Sequence, residues 1–128
     1  MKKMFLLFSH NLTQIQIDDA KNNLDIEKFV SLSQDLQELW SNIPSDLIFI
    51  KEYLLPFRNF LKKNSNFGDV VLIQGDFGAV YQMVNFANDL GLKAVYATTT
   101  RVIEEIVIDE KTVKKSIFEH RRFREYGI

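Results

Sequence analysis

Residues Gly68 to Ala79 constrain the fold more than any other stretch of the chain, because they read as a strand, a glycine turn and a helix start in immediate succession. Val70-Val71-Leu72-Ile73 is an unbroken apolar run of the kind found in a strand buried on both faces of a parallel sheet. Gln74-Gly75-Asp76-Phe77-Gly78 follows, with two glycines that tolerate unusual backbone angles. From Ala79 the period changes: Ala79, Val80, Met83, Val84, Ala87 and Leu90 recur at helical spacing and make one apolar stripe. Gly91 closes that helix as a C′ residue. A glycine loop entering a helix offers unpaired backbone N–H groups and the positive end of the helix dipole, which suits a phosphate. The motif is neither the Gly-x-Gly-x-x-Gly of dinucleotide folds nor a Walker loop. Asp76 is open to two readings: an N-cap in a plain tight turn, or a member of a site.

The remaining segments supply partners for this strand. Met4 to Phe8 is a second central strand, emptying into the polar Ser9-His10-Asn11. Thr13 caps a helix with Ile15, Ile17, Ala20 and Leu24 on its apolar face and Asp18 and Asp19 in solvent. Phe29 to Leu32 is a short strand, and Ser33 begins a helix through Trp40 that Ile43-Pro44-Ser45 breaks. A helix follows from about Ser45 to Lys63, striped by Leu47, Ile50, Leu54, Phe57 and Leu61, with Pro56 kinking or breaking it. Lys93 to Ala97 is a strand that empties into Thr98-Thr99-Thr100-Arg101. Val102–Ile108 and Thr112–His120 pair as a C-terminal β-hairpin across Asp109-Glu110-Lys111. Strands alternating with helices imply one α/β domain over residues 1–128, a mainly parallel sheet flanked by helices. Ligands of such sheets sit beyond the carboxyl ends of the strands, where strand order reverses. Three loops fall at that edge: Ser9-His10-Asn11, Gln74 to Gly78, and Thr98 to Arg101.

Composition narrows the functional classes. With 128 residues, 46% of them apolar, the chain buries roughly two-thirds of its unfolded surface without staples. The absence of cysteine excludes thiol nucleophiles and leaves the redox compartment unread, with a cytoplasmic site the simpler expectation; the five-residue apolar run after Met1-Lys2-Lys3 is too short for export or a membrane span. A net charge of −1 argues against binding long nucleic acid. No carboxylate–histidine cluster has metal-ligand spacing, and no hydrolase elbow is present. His10 can exchange a proton near neutral pH or be a backbone-bonded surface residue; Thr98 to Arg101 can hold phosphate oxygens or simply end a strand. His120, Arg121, Arg122 and Arg124 are the one dense cationic segment, a ligand clamp or a solvated tail.

Phe5-Leu6-Leu7-Phe8-Ser9-His10-Asn11-Leu12, Val71 to Ala79, Tyr96-Ala97-Thr98-Thr99-Thr100-Arg101, and Phe118-Glu119-His120 with Phe123-Arg124 together resemble a small stand-alone family of CRISPR-associated proteins of type III systems, grouped with the ring nucleases. The resemblance spans nearly the whole chain, and Gln-Gly-Asp-Phe-Gly with the Thr-Thr-x-Arg element is its most specific part. It implies a Rossmann-like domain similar to the CARF sensor domains, acting as a homodimer on cyclic tetra-adenylate without metal or cofactor. A ribose 2′-hydroxyl would attack the neighbouring phosphate and leave a 2′,3′-cyclic phosphate. On that resemblance His10, Asp76 and Arg101 are the catalytic candidates. Ser9, Gln74, Gly75, Phe77, Gly78, Thr98, Thr99, His120, Arg122 and Arg124 are the ligand-binding ones. Two other expectations stand beside it: a sensor or sponge that binds the messenger intact, and an unrelated nucleotide-binding or flavodoxin-like module.

Overall fold

The computed structural model describes residues 1–128 as a five-stranded sheet with helices on both faces. The strands are β1 (Lys3–Leu7), β2 (Lys28–Ser31), β3 (Val70–Ile73), β4 (Lys93–Ile108) and β5 (Lys111–Glu125), in the order β2-β1-β3-β4-β5. The first four are parallel and β5 runs antiparallel to β4. No helix is long and apolar enough to cross a membrane.

The two apolar faces of β1 and β3 explain the layers. Phe5, Leu7, Val71 and Ile73 point to one side, where α2 (Gln34–Ser41), α3 (Leu55–Asn64) and α4 (Phe77–Asp89) cover them with Trp40, Phe57, Leu61, Met83 and Ala87. Met4, Leu6, Val70 and Leu72 point to the other, where α1 (Gln14–Asn23) contributes Ala20. Burying these strands on both faces is what the unbroken apolar runs require. Asp69, the one buried charged residue, sets their register: its carboxylate accepts the Lys3 amide at 3.0 Å and the Asn66 amide at 2.9 Å, with Lys3 Nζ 3.7 Å away. A buried carboxylate so satisfied costs little, and it fixes the amino end of β1 against that of β3.

Three expectations are corrected. The helix expected from Ser45 begins only at Leu55, and residues 45–54 form turns. Pro56 stands in the first turn, where its missing N–H is no loss; further inside a helix it would leave a carbonyl unpaired. Thr98 to Arg101 is not a loop: β4 continues straight through it, each threonine adding a β-branched side chain suited to a strand. Its partner β5 likewise absorbs Arg121 to Glu125, and a bulge opposite Thr98/Thr99 takes up Arg121 as the extra residue. The expected hairpin is present and closes at Asp109-Glu110, both at positive φ, the geometry of a type I′ turn without its usual glycine. Finally, Asp19 is not in solvent, because its carboxylate meets His120 Nε2 at 2.7 Å.

Candidate functional site

Strand order reverses between β1 and β3: the chain leaves β1 towards β2 on one side and returns to β3 on the other. The carboxyl ends of these two neighbours part there and leave a cleft. Phe8, Ser9 and His10 form one wall and Gln74 and Gly75 the other, around a cavity of about 200 Å3. His10 also lines a second cavity of about 190 Å3 with Asn11, Ser31 and Gln37, between the ends of β1 and β2. Its exposed ring stands edge-on to Phe8 at 5.4 Å.

The floor of this cleft is rigid for identifiable reasons. Gln74 sends its backbone N–H to the Leu7 carbonyl, accepts Trp40 Nε1 on its own carbonyl at 2.9 Å, and accepts the Ala97 amide on Oε1 at 2.6 Å. One residue thereby joins β1, α2 and β4. Gly75 packs close against the Trp40 indole, and a Cβ there would stand 2.9 Å from Nε1, so only glycine lets the ring and the turn meet. Tyr126 closes the neighbouring edge by donating its hydroxyl to the Ile73 carbonyl at 2.6 Å. Burial, and to a lesser degree the charge of a nearby ionised Tyr96, pushes the Tyr126 phenol above its ordinary range.

Asp76 caps α4, its Oδ2 accepting the Ala79 amide at 3.0 Å, while its carbonyl accepts Val80 N–H. Phe77 and Gly78 carry the other first-turn N–H groups, at the positive end of the helix. Asp76 and Gly78 face a groove bordered by Ile43, Phe49, Ile50 and Lys51, and His10 is not on that groove. Phe49 lines it as an exposed aromatic, and Phe77 and Tyr81 on α4 are exposed aromatics outside its lining.

The other expected residues lie further off. Val95 pairs with Leu72, so Thr98 is level with Gly75 and Arg101 stands about 10 Å beyond the edge at roughly 3.3 Å per residue. Thr98 Oγ1 donates to the Arg122 carbonyl at 3.2 Å, Thr99 is exposed, and Arg101 donates twice to Ser116 Oγ at 2.9 and 3.0 Å. His120 is spent on Asp19 and stacks against Phe123, buried on the α1 face away from the cleft. Arg124 lies over the Tyr96 ring and donates to its hydroxyl at 3.1 Å. Arg122 joins Arg121, Asp19 and Asn23 around a separate cavity of about 350 Å3 at the foot of β5. The structure thus brings Ser9, His10, Gln74 and Gly75 together, sets Asp76, Phe77 and Gly78 beside them, and leaves Arg101, His120, Arg122 and Arg124 elsewhere. No group of three or more His, Asp or Glu side chains is arranged to hold a metal ion.

A family model matches residues 2–124. The chain belongs to the uncharacterized protein MJ1673 family. It is 53% identical over 127 residues to the uncharacterized protein MJ1673 of Methanocaldococcus jannaschii, covering 99% of this chain and 98% of that one. No solved structure matches it. In this MJ1673-family chain, the site residues that sequence reasoning missed are Trp40 and Gln37. Gln37 Nε2 reaches the Ser9 carbonyl at 3.3 Å from the helix that also supplies Trp40. Their spacing of three puts both on one helix face, but nothing in the sequence says which loop that face supports.

Proposed function

We propose that the cleft between β1 and β3 binds a cyclic oligoadenylate, with cyclic tetra-adenylate as the ligand, and that the protein is a metal-independent ring nuclease built on a Rossmann-like, CARF-like domain. The observation that carries the reading is the meeting of the Ser9-His10 and Gln74-Gly75 ends at the strand-order reversal, beside the amino terminus of α4. The Phe77 and Gly78 amides hold a phosphate, as helix amino termini do. The exposed rings of Phe49, Phe77 and Tyr81 are platforms on which adenines stack. A second copy of the chain completes the site, since a four-fold repeated ring presents equivalent halves to two identical subunits.

In the reaction a ribose 2′-oxygen attacks the adjacent phosphorus, the bond from phosphorus to the 5′-oxygen breaks, and the products are a 2′,3′-cyclic phosphate and a 5′-hydroxyl. The proton lost by the 2′-hydroxyl must be accepted and one must be returned to the departing 5′-oxygen. His10 is the titratable side chain lining the cleft and takes this part. The rigid floor around Gln74 keeps the ring in line for attack. Arg101, tied to Ser116 beyond the edge, stands outside the reacting centre in this reading.

One observation favours binding without turnover. The cleft holds one proton-transferring side chain, whereas the other two catalytic candidates are engaged elsewhere, Asp76 in capping α4 and Arg101 on Ser116. A protein so equipped would sense or sequester the messenger. Incubation with cyclic tetra-adenylate in excess EDTA, with chromatography of the nucleotide, decides between them. Linear products ending in a 2′,3′-cyclic phosphate are expected. Tight binding of intact ligand would establish the sensor or sponge, and neither binding nor cleavage would refute both.

A further inference from the structure

Beyond Ala97, β4 has no neighbour but β5, because β3 ends at Ile73. Past the His120–Asp19 contact with α1, the two strands run on as a bare ribbon from Arg101 to Ile108, roughly 23 Å at about 3.3 Å per residue. A two-stranded ribbon is marginal in water by itself, and residues 99–122 belong to neither core cluster. Its faces are therefore free for a partner outside the chain.

The pairing shows what fits. On one face Val102 opposes Ile117 and Ile106 opposes Val113, two wholly apolar pairs that flank the pair Glu104 and Lys115. The opposite face mixes each apolar residue with a polar partner, Arg101 with Phe118 and Ile103 with Ser116, so it offers no continuous apolar strip. Cations do not dominate the ribbon: between residues 99 and 122 six Lys and Arg side chains stand beside five Asp and Glu, a near balance. Such a surface does not suit a nucleic acid. It does suit itself. With a two-fold axis along the ribbon, each copy lays β4 on its partner's β5, Val102 on an isoleucine and Glu104 on a lysine. Ribbons stacked head to tail would instead set Glu104 on a glutamate and Lys115 on a lysine, which like charges forbid.

We propose that the β4–β5 ribbon is a dimerisation arm, joined face to face with the same arm of a second copy through Val102, Ile106, Val113 and Ile117 and a reciprocal pair of Glu104–Lys115 contacts. The arrangement sets the carboxyl edges of both sheets at the same end of the dimer, so the two β1–β3 clefts come side by side. A dimer is part of the reading above; this inference names its surface.

Sedimentation tests it. The wild-type chain sediments as a dimer at micromolar concentration, and Ile106→Lys, Glu104→Lys and Lys115→Glu each sediment as monomers with an unchanged far-UV spectrum. Mixing the Glu104→Lys chain with the Lys115→Glu chain restores the dimer, which an effect within one chain would not do. A monomeric wild type, charge variants that remain dimeric alone, or a mixture that stays monomeric would overturn the arm. Cleavage by a monomeric wild type would leave the cyclic oligoadenylate reading standing without it. An arm-linked dimer that neither binds nor cuts the ring would do the reverse.

Discussion

Replacing His10 by alanine lowers single-turnover cleavage of cyclic tetra-adenylate by about a hundred- to ten-thousand-fold, the usual contribution of a positioned proton-transfer group. Binding changes little, because in this account the phosphate is held by backbone amides at the start of α4, which the substitution leaves in place. The contrast with the other histidine makes the experiment specific. His120 is buried against Asp19 and Phe123 and ties β5 to α1. Its replacement by alanine removes that tie and lowers the melting temperature while leaving the rate of the folded protein near that of wild type. A His10→Ala protein that cleaves at the wild-type rate would remove His10 from the mechanism.

The largest effect on stability is expected at Trp40. Its indole is the bulkiest fully buried side chain, edge-on to Phe57 at 5.2 Å and bonded to the Gln74 carbonyl. Trp40→Ala removes the packing and the hydrogen bond together and costs about 3–5 kcal/mol. In a domain whose whole stability is about 5–15 kcal/mol, that lowers the urea midpoint severely. Trp40→Phe keeps most of the apolar volume but strips the Gln74 carbonyl of its donor, at a cost of about 1–3 kcal/mol. Urea unfolding of the two variants separates the terms. A Trp40→Phe midpoint equal to wild type would mean that the indole N–H contributes nothing to holding the floor of the cleft.

What was legible in the sequence follows from the range of the forces involved. Val70–Ile73 and Met4–Leu7 announce themselves because burial on two faces leaves no polar position. The helix from Phe77 to Asp89 is equally plain: its apolar stripe, the Asp76 cap and the closing Gly91 are all local. The misreadings came where a local signal had to be weighed against distant partners. Leu47 and Ile50 continue the stripe of α3, yet Pro56 sets the helix start. Thr98-Thr99-Thr100 looks like a polar loop until β5 pairs with it across a bulge at Arg121. Asp19 looks like a solvated helix residue, and its partner is 101 positions away. The Ser9-His10 and Gln74-Gly75 ends were recognisable as an edge because each follows an apolar strand. That Trp40 pins one of them was not, since the contact depends on how α2 lands on the sheet.

The most direct test of the central claim is to titrate the isotopically labelled protein with cyclic tetra-adenylate and follow its amide resonances. The largest shifts are expected at His10, Gly75, Phe77 and Gly78, around the β1–β3 cleft and the start of α4. Shifts confined to Asp19, Asn23, Arg121 and Arg122, around the cavity at the foot of β5, would contradict it.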